Sequence, residues 1–331
     1  MEEIKRKYNP RVQGCNSLSN YQILERIHEG TYGEVYKAKD IQSGVLKAVK
    51  RIKKETNFGS GGISVVFLRE INLIRSVAHP NIIKIDEIVT DKQGGIYIIM
   101  EYIPNELRYL NKHMGIQFNI SQIKCIMLQL LGGIAILHKR YIFHRDLKTS
   151  NVLYDHEGCI KICDFGLARH YHEEDKQYSG NVVTLWYRSP ELLFGTTTYS
   201  CEVDMWSLGI IFAEIILNDV PFKADTEVLM LDCIIKALGT PDPLHWPFYQ
   251  KMMKENKIFL HPRKSDNILF SRLKARGLSE DGLNLLKKML CYNPKLRISA
   301  EDARKHSWFT EEPLPCRVAD MPKYKNVVRK N

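Results

Sequence analysis

His144-Arg145-Asp146-Leu147-Lys148-Thr149-Ser150-Asn151, followed thirteen positions on by Asp164-Phe165-Gly166, is the stretch that decides how this chain reads. It places one candidate base, one cation and two hard oxygen ligands on two short loops. Asp146 can accept a proton from a hydroxyl and orient that oxygen for attack. Asn151 and Asp164 offer the oxygen donors that suit Mg²⁺ bridging phosphates. Lys148 puts a point charge where negative charge builds on a transferred group. Phosphoryl transfer needs this set, because it is mostly positioning and charge neutralisation. Either loop alone could be an ordinary turn rich in Asp and Asn. Both loops, in this order and at this spacing, make a specific signal.

Bulk properties agree. The 331 residues, 44% of them hydrophobic, are enough for two sizeable cores, in one large domain or in a two-lobed one. Eight cysteines show no paired metal spacing, which points to a reducing compartment. Cys159 and Cys163 bracket Ile160-Lys161-Ile162, a short strand by pattern, and read as buried thiols. The start, Met1-Glu2-Glu3-Ile4-Lys5-Arg6-Lys7, is too charged for a secretory signal. No apolar run is expected to reach the roughly 18 residues of a membrane span, since Glu214 interrupts Leu208 to Leu217. The net charge of +10 favours acidic partners, but the basic residues are spread along the chain. They read as a solvated surface, with neither a membrane nor direct nucleic acid binding expected.

The first hundred residues are strand-rich. Val45 to Ile52, Ile82 to Val89 and Ile96 to Met100 carry β-branched and aromatic runs, punctuated by turns such as Gly94-Gly95. One amphipathic helix interrupts them over Ser64 to Val77, ending at His79-Pro80. After Pro104 the pattern turns helical. Ser121 reads as an N-cap, with Ile123, Ile126, Met127, Leu130, Leu131, Ile134 and Leu137 at three- and four-residue spacing behind it. Asp204 to Leu217 and Ser279 to Leu290 read as two further helices. The basic tail from Pro313 reads as a strap or a partly ordered extension.

Over Tyr21 to Phe309 the chain resembles a eukaryotic protein kinase. The resemblance implies an α+β, bilobal fold: a small β-rich N-lobe with one regulatory helix (21–102) and a large, mainly α-helical C-lobe (103–309). Residues 1–20 become an N-terminal extension and 310–331 a basic tail. It implies ATP and Mg²⁺, with Asp146, Lys148, Lys50 and Glu70 as the catalytic set and Asn151 and Asp164 as metal ligands. A Lys two positions after the catalytic Asp goes with Ser/Thr acceptors. Ile27-His28-Glu29-Gly30-Thr31-Tyr32-Gly33-Glu34-Val35 stands where the glycine-rich loop is expected, with His28 in place of its first glycine. The nucleotide, held between the lobes, is then expected against Ile27, Gly30, Thr31, Tyr32, Gly33, Val35, Ala48, Lys50, Met100 and Leu153, and against the backbone of Glu101 and Ile103.

Within kinases the chain is similar to the cyclin-dependent group. Glu29-Gly30-Thr31-Tyr32-Gly33, Leu68-Arg69-Glu70-Ile71 and Val182-Val183-Thr184-Leu185-Trp186-Tyr187-Arg188 carry that likeness. Gln13-Gly14-Cys15, His144 to Asn151 and the stretches Ala300 to Asp302 and Glu312 to Pro315 carry a narrower one, to the PITSLRE-type cyclin-dependent kinases. Ser64 departs from the Pro the family has there, and Ser189 from the Ala of Ala-Pro-Glu. The likeness implies a cyclin partner, of the L type, on the face of Ile63, Phe67, Leu68 and Ile71. It implies an activating phosphosite at Ser179, gripped by Arg69, Arg145 and Arg169, and inhibitory sites at Thr31 and Tyr32. It also implies a pocket for proline after the acceptor, from Val182, Val183 and Arg188, and residence in the nucleus. Two alternatives stay open: a cyclin-independent mitogen-activated-type kinase, and a non-catalytic pseudokinase scaffold. The intact Lys50, Asp146, Asn151 and Asp164 argue against the second.

Overall fold

The computed structural model describes residues 16–30, 33–52, 75, 77–170, 184–255, 262–266 and 268–324. The chain divides into two compact units: Met1–Ala78 with Ile83–Ile103, and His79–Ile82 with Pro104–Asn331. The helix expected over 64–77 lies, apart from Arg75 and Val77, outside the described residues.

The first unit is built on a six-stranded sheet. Its strands are β1 (Asn16–Ser17), β2 (Tyr21–Gly30), β3 (Gly33–Asp40), β4 (Leu46–Ile52), β5 (Ile85–Thr90) and β6 (Ile96–Glu101). They lie in the order β1-β5-β6-β4-β3-β2, antiparallel except where β1 runs parallel to β5. Because side chains alternate across a strand, one register sorts them into two faces. Tyr21, Ala38, Val49, Val89, Tyr97 and Ile99 pack together as the core of one face. Val35, Ala48, Lys50 and Met100 share the other, since Val35 pairs with Lys50 and Ala48 with Met100. The strand expected to start at Ile82 begins three residues later. Ile82 instead makes an isolated parallel bridge to Ile162 in the second unit.

The second unit is mainly helical. Its longest helix among the described residues, Ile120–Lys139, is capped by Asn119 and not by Ser121. Asn119 accepts from the Gln122 N–H at 2.9 Å while the Gln122 side chain accepts from the Asn119 N–H at 3.0 Å, a reciprocal cap. By length and composition this helix could cross a membrane, contrary to the expectation that no apolar run would. It is two-thirds buried inside the unit, so its apolar surface is core. The other two expected helices run Glu202–Leu217 and Glu280–Met289, the latter capped by Ser279. Cys159 and Cys163 are half-buried instead of buried. In the strand Ile160–Ile162 the two isoleucines point inward, so both cysteines share the outward face of Lys161.

The tail crosses the start of the Ile120–Lys139 helix. The Ser121 hydroxyl donates to Leu314 O at 2.6 Å, and the Cys316 N–H to Ser121 O at 3.2 Å. Lys124, fully buried, donates to Glu311 O at 2.8 Å, and the Tyr154 hydroxyl to Pro322 O at 2.6 Å. Gly158 has φ +90°, and a Cβ there would stand 2.3 Å from that of Met321, so only glycine lets the strap lie this close.

A buried ion pair ties two segments of the helical unit that lie 106 residues apart in the chain. Arg297 reaches both oxygens of Glu191, at 2.9 and 3.0 Å, and also donates to Glu202 O at 2.7 Å. Both side chains are buried, so removing one strands the other without water. Arg297→Ala is expected to cost about 3–5 kcal/mol in denaturant unfolding, whereas a change at the exposed Arg317–Asp320 pair should cost under about 1 kcal/mol.

Candidate active site

The catalytic-loop residues sit between the short strand Ile142–Phe143 and the strand Val152–Tyr154, which pairs antiparallel with Ile160–Ile162. The loop is held from below by Asp204 of the Glu202–Leu217 helix. Asp204 Oδ2 accepts the His144 N–H at 2.8 Å and Oδ1 the Arg145 N–H at 2.9 Å. His138 Nε2 donates to Oδ2 at 2.9 Å. Asp204 is 1% exposed. Burial pushes its carboxyl up, but the hydrogen bond and charge of His138, with the Arg145 N–H, outweigh it and hold the pKa below the ordinary Asp value. Arg145 takes φ +67°, a left-handed backbone that this grip holds in place.

His144 ties the second loop to the first. Its Nε2 lies 3.0 Å from Cys163 O, an atom that can only accept, and its Nδ1 takes the Asp146 N–H at 3.2 Å. Those two partners fix the Nε2–H tautomer. The Cys163 N–H donates to Asn151 O at 3.0 Å, so both backbone groups of Cys163 bind the catalytic loop. Asp164 follows directly, with φ +61°. Asn151 and Asp164 are thus brought into register by the residue between them and His144.

Around Asp146 the bonding is uneven. Oδ2 accepts from Lys148 Nζ at 2.8 Å and from Asn151 Nδ2 at 3.0 Å. Asn151 Nδ2 also donates to Asp146 O at 2.7 Å, which leaves Oδ1 as the acceptor end of that amide. Asp146 Oδ1 receives only two long contacts among the described residues, both 3.4 Å, from the N–H and hydroxyl of Thr184. Lys148 Nζ reaches Thr184 Oγ1 at 3.0 Å. One carboxylate oxygen is therefore locked, and the other faces a place where a hydroxyl can approach.

The remaining candidates fall as follows. In the first unit, the shared sheet face places Val35, Ala48, Lys50 and Met100 together. Ile27 lies in the register shift between Arg26 and His28, half-buried. Gly30 pairs with Gly33, and a Cβ on Gly33 would stand 2.1 Å from Arg51 O, so β3 lies this close to β4 only with glycine there. The Glu101 N–H is taken by Lys84 O at 3.1 Å. Ile103 ends the first unit, and Leu153 lies on the Val152–Tyr154 strand of the second. Thr31, Tyr32, Arg69, Glu70, Ser179, Val182 and Val183, with the expected cyclin-facing residues, lie outside the described residues. Of the expected phosphate-gripping arginines, Arg145 is buried and already donates to Leu167 O at 2.6 Å and the Tyr199 hydroxyl at 3.0 Å. Arg169 donates to Ala168 O at 2.8 Å.

The comparisons match this arrangement. The protein kinase domain matches residues 21–309. Cyclin-dependent kinase 11B of Homo sapiens is 44% identical over 93% of the chain and 38% of its own length. Cyclin-dependent kinase 10 of Mus musculus is 40% identical over 95% of the chain and 86% of its own length. The chain belongs to the cyclin-dependent kinases. A chain of the CAK complex of Chaetomium thermophilum, solved bound to ATP-gamma-S, superposes with a TM-score of 0.81 at 31% identity, over 92% of this chain and 96% of that one. This cyclin-dependent kinase chain spans less than half the length of several curated relatives it matches.

The donor set fits Mg²⁺ with a nucleotide. Mg²⁺ takes one or two protein oxygens and completes its shell with phosphates and water. Asn151 Oδ1 and the Asp164 carboxylate are such a pair, and no group of three or more His, Cys, Asp or Glu among the described residues offers a protein-only cage. Sequence reading missed Asp204 as an anchor, and with it His138. Both were legible only as helix residues, because the partners they bind lie far along the chain.

Replacing Asp204 with Asn is expected to lower stability by about 2–4 kcal/mol at neutral pH, through the lost charge-assisted bonds. Its depressed pKa means this contribution is present above about pH 4 and fades as pH falls through the folded-state value. Denaturant unfolding of both proteins at several pH values checks this, and the gap between them should narrow in acid.

Proposed function

We propose that this chain is the catalytic subunit of a cyclin-dependent, proline-directed serine/threonine kinase that transfers the γ-phosphate of ATP to protein hydroxyls. The observation that carries the reading is the uneven bonding of Asp146. With Oδ2 held by Lys148 and Asn151, Oδ1 accepts the proton of an incoming Ser or Thr hydroxyl and aims that oxygen. Lys148, bridging Asp146 and Thr184, stands beside the charge that develops on the transferred group. Bound Mg²⁺, on Asn151 and Asp164, supplies neutralisation of phosphate charge. Lys50 is assigned to the phosphates with Glu70 as its orienting partner. Ile27, Gly30, Thr31, Tyr32, Gly33, Val35, Ala48, Met100, Glu101, Ile103 and Leu153 are assigned to the nucleotide.

Regulation follows the same reading. A cyclin, of the L type, is assigned to orient Glu70 and the helix expected over 64–77. Phosphate on Ser179 is gripped by Arg69 and Arg169, with Arg145 as the third cation, and phosphate on Thr31 or Tyr32 opposes activity. Arg145 already donates through Nε to Leu167 O and through Nη1 to the Tyr199 hydroxyl, which holds its guanidinium in place for that grip. A nuclear role in cell-cycle control or in transcription and RNA processing belongs to this proposal.

The test is to purify the chain from cells with the partner it retains, identify that partner, and measure transfer to a Ser-Pro peptide. A cyclin-box protein should co-purify, and Asp146→Asn should lower the rate by about 10²–10⁴-fold. Ser179→Ala should lose most of the partner-stimulated activity, and replacing the peptide's proline should reduce transfer. Transfer without any partner would favour the cyclin-independent reading, and none with a cyclin bound would favour the scaffold.

A further inference from the structure

A second, fully buried link joins the catalytic loop to the segment Thr184–Arg188. The Thr149 hydroxyl donates to Glu214 Oε1 at 2.9 Å, and the Tyr187 hydroxyl donates to Glu214 Oε2 at 2.7 Å. The two hydroxyls lie 3.2 Å apart. Thr149 is 0% exposed, Tyr187 1% and Glu214 5%. Each belongs to a different element. Thr149 opens the 3-10 turn Thr149–Asn151, three residues after Asp146. Tyr187 ends the 3-10 turn Leu185–Tyr187, three residues after Thr184, whose hydroxyl faces Asp146 and Lys148. Glu214 lies on the Glu202–Leu217 helix, which also holds the Tyr187 carbonyl through Ser207 Oγ at 2.9 Å.

We propose that Thr149 is a positioning residue, coupling the catalytic loop to the Thr184–Arg188 segment through the shared buried acceptor Glu214. This rests on the kinase reading above, in which Asp146 and Thr184 meet the substrate hydroxyl. The argument is one of cost. A carboxylate in the otherwise apolar stretch Leu208 to Leu217 is expensive to desolvate, and an apolar residue would fill the position more cheaply. Its two oxygens are instead each satisfied by one hydroxyl from one of the two segments that must be held in register. Removing either hydroxyl takes away one of the two contacts that fix the shared carboxylate, and with it the hydroxyl–hydroxyl contact, so both segments loosen together.

The charge state of Glu214 enters the coupling. Burial pushes its carboxyl up, the hydroxyls of Tyr187 and Thr149 and the charge of Arg108 pull it back, and Asp219 pushes it up again. The Asn111 side chain, also packed there, donates to the backbone carbonyl of Glu214 at 3.4 Å. Protonation removes acceptor capacity from one oxygen, so acid should loosen the same link. Taking away the Thr149 hydroxyl withdraws a contact that favours the ionised form and moves that loss to higher pH.

Thr149→Val keeps the side-chain shape and deletes the hydroxyl, while Thr149→Ser keeps the hydroxyl. Both are compared with wild type as the full chain with its co-purified partner, using ATP and a Ser-Pro peptide from about pH 5.5 to 8.5. Thr149→Val should lower kcat about tenfold with KM for ATP unchanged, and its acid limb should lie at higher pH than wild type. Thr149→Ser should recover most of the rate. A folded Thr149→Val with wild-type kcat and pH profile overturns the proposal. Amide hydrogen exchange provides a readout that needs no activity, so the proposal stands or falls even where the wild type transfers no phosphate. Thr149→Val, or Tyr187→Phe where the valine variant does not fold, should speed exchange in Thr149–Asn151 and Leu185–Tyr187 together. Acceleration in only one of those turns contradicts the coupling.

Discussion

The carboxylate of Asp204 is the constraint on which the rest of the site depends. Two consecutive backbone N–H groups, of His144 and Arg145, point at its two oxygens, and His138 completes its shell. With those bonds made, Arg145 is held at positive φ and the chain turns so that Asp146, Lys148 and Asn151 converge. His144, whose N–H is fixed by the same carboxylate, then reaches Cys163 and sets where Asp164 begins. The candidate base, the candidate cation and both metal-ligand candidates of the second unit thus trace back to one buried acid on a core helix. Its cost of burial is offset by three donors aimed at its two oxygens.

The helical unit repeats this device. Glu214 satisfies hydroxyls from two segments, Arg297 binds Glu191 and the Glu202 carbonyl, and Lys124 binds the Glu311 carbonyl of the strap. Buried charges are poor sources of net stability, because desolvation consumes most of what the pairing returns. They are effective at choosing one arrangement of loops, since a displaced loop leaves a charge unpaired. In the first unit the work is done by strand alternation. One register gives an apolar core face and a second face carrying Val35, Ala48, Lys50 and Met100.

Legibility followed the range of the interactions. The Asp146, Lys148, Asn151 and Asp164 set was readable because it is local: its members lie on two short loops with fixed spacing. Strand positions in the first unit and the three helices expected in the second were readable from periodicity. Ser121 was mistaken for a cap because serine just ahead of an apolar run is a common one; its hydroxyl instead donates to the Leu314 carbonyl, 193 residues away in the strap. The reciprocal Asn119–Gln122 pair was in plain view. Cys159 and Cys163 were misplaced by ignoring that flanking residues of a three-residue strand share the face of its middle one. Ile82 left its expected strand for a partner at Ile162, which no local pattern announces. Glu214 was noticed only as an interruption of an apolar run, and its two hydroxyl partners come from distant turns.

Amide hydrogen exchange at His144 and Arg145 tests the role of Asp204 most directly. In the wild-type chain both amides should exchange as slowly as those inside the Glu202–Leu217 helix. With Asp204→Asn they should exchange far faster while the Ile120–Lys139 helix stays protected. Fast exchange of both amides in the wild-type chain, or no change on substitution, would show that something other than this carboxylate shapes the loop.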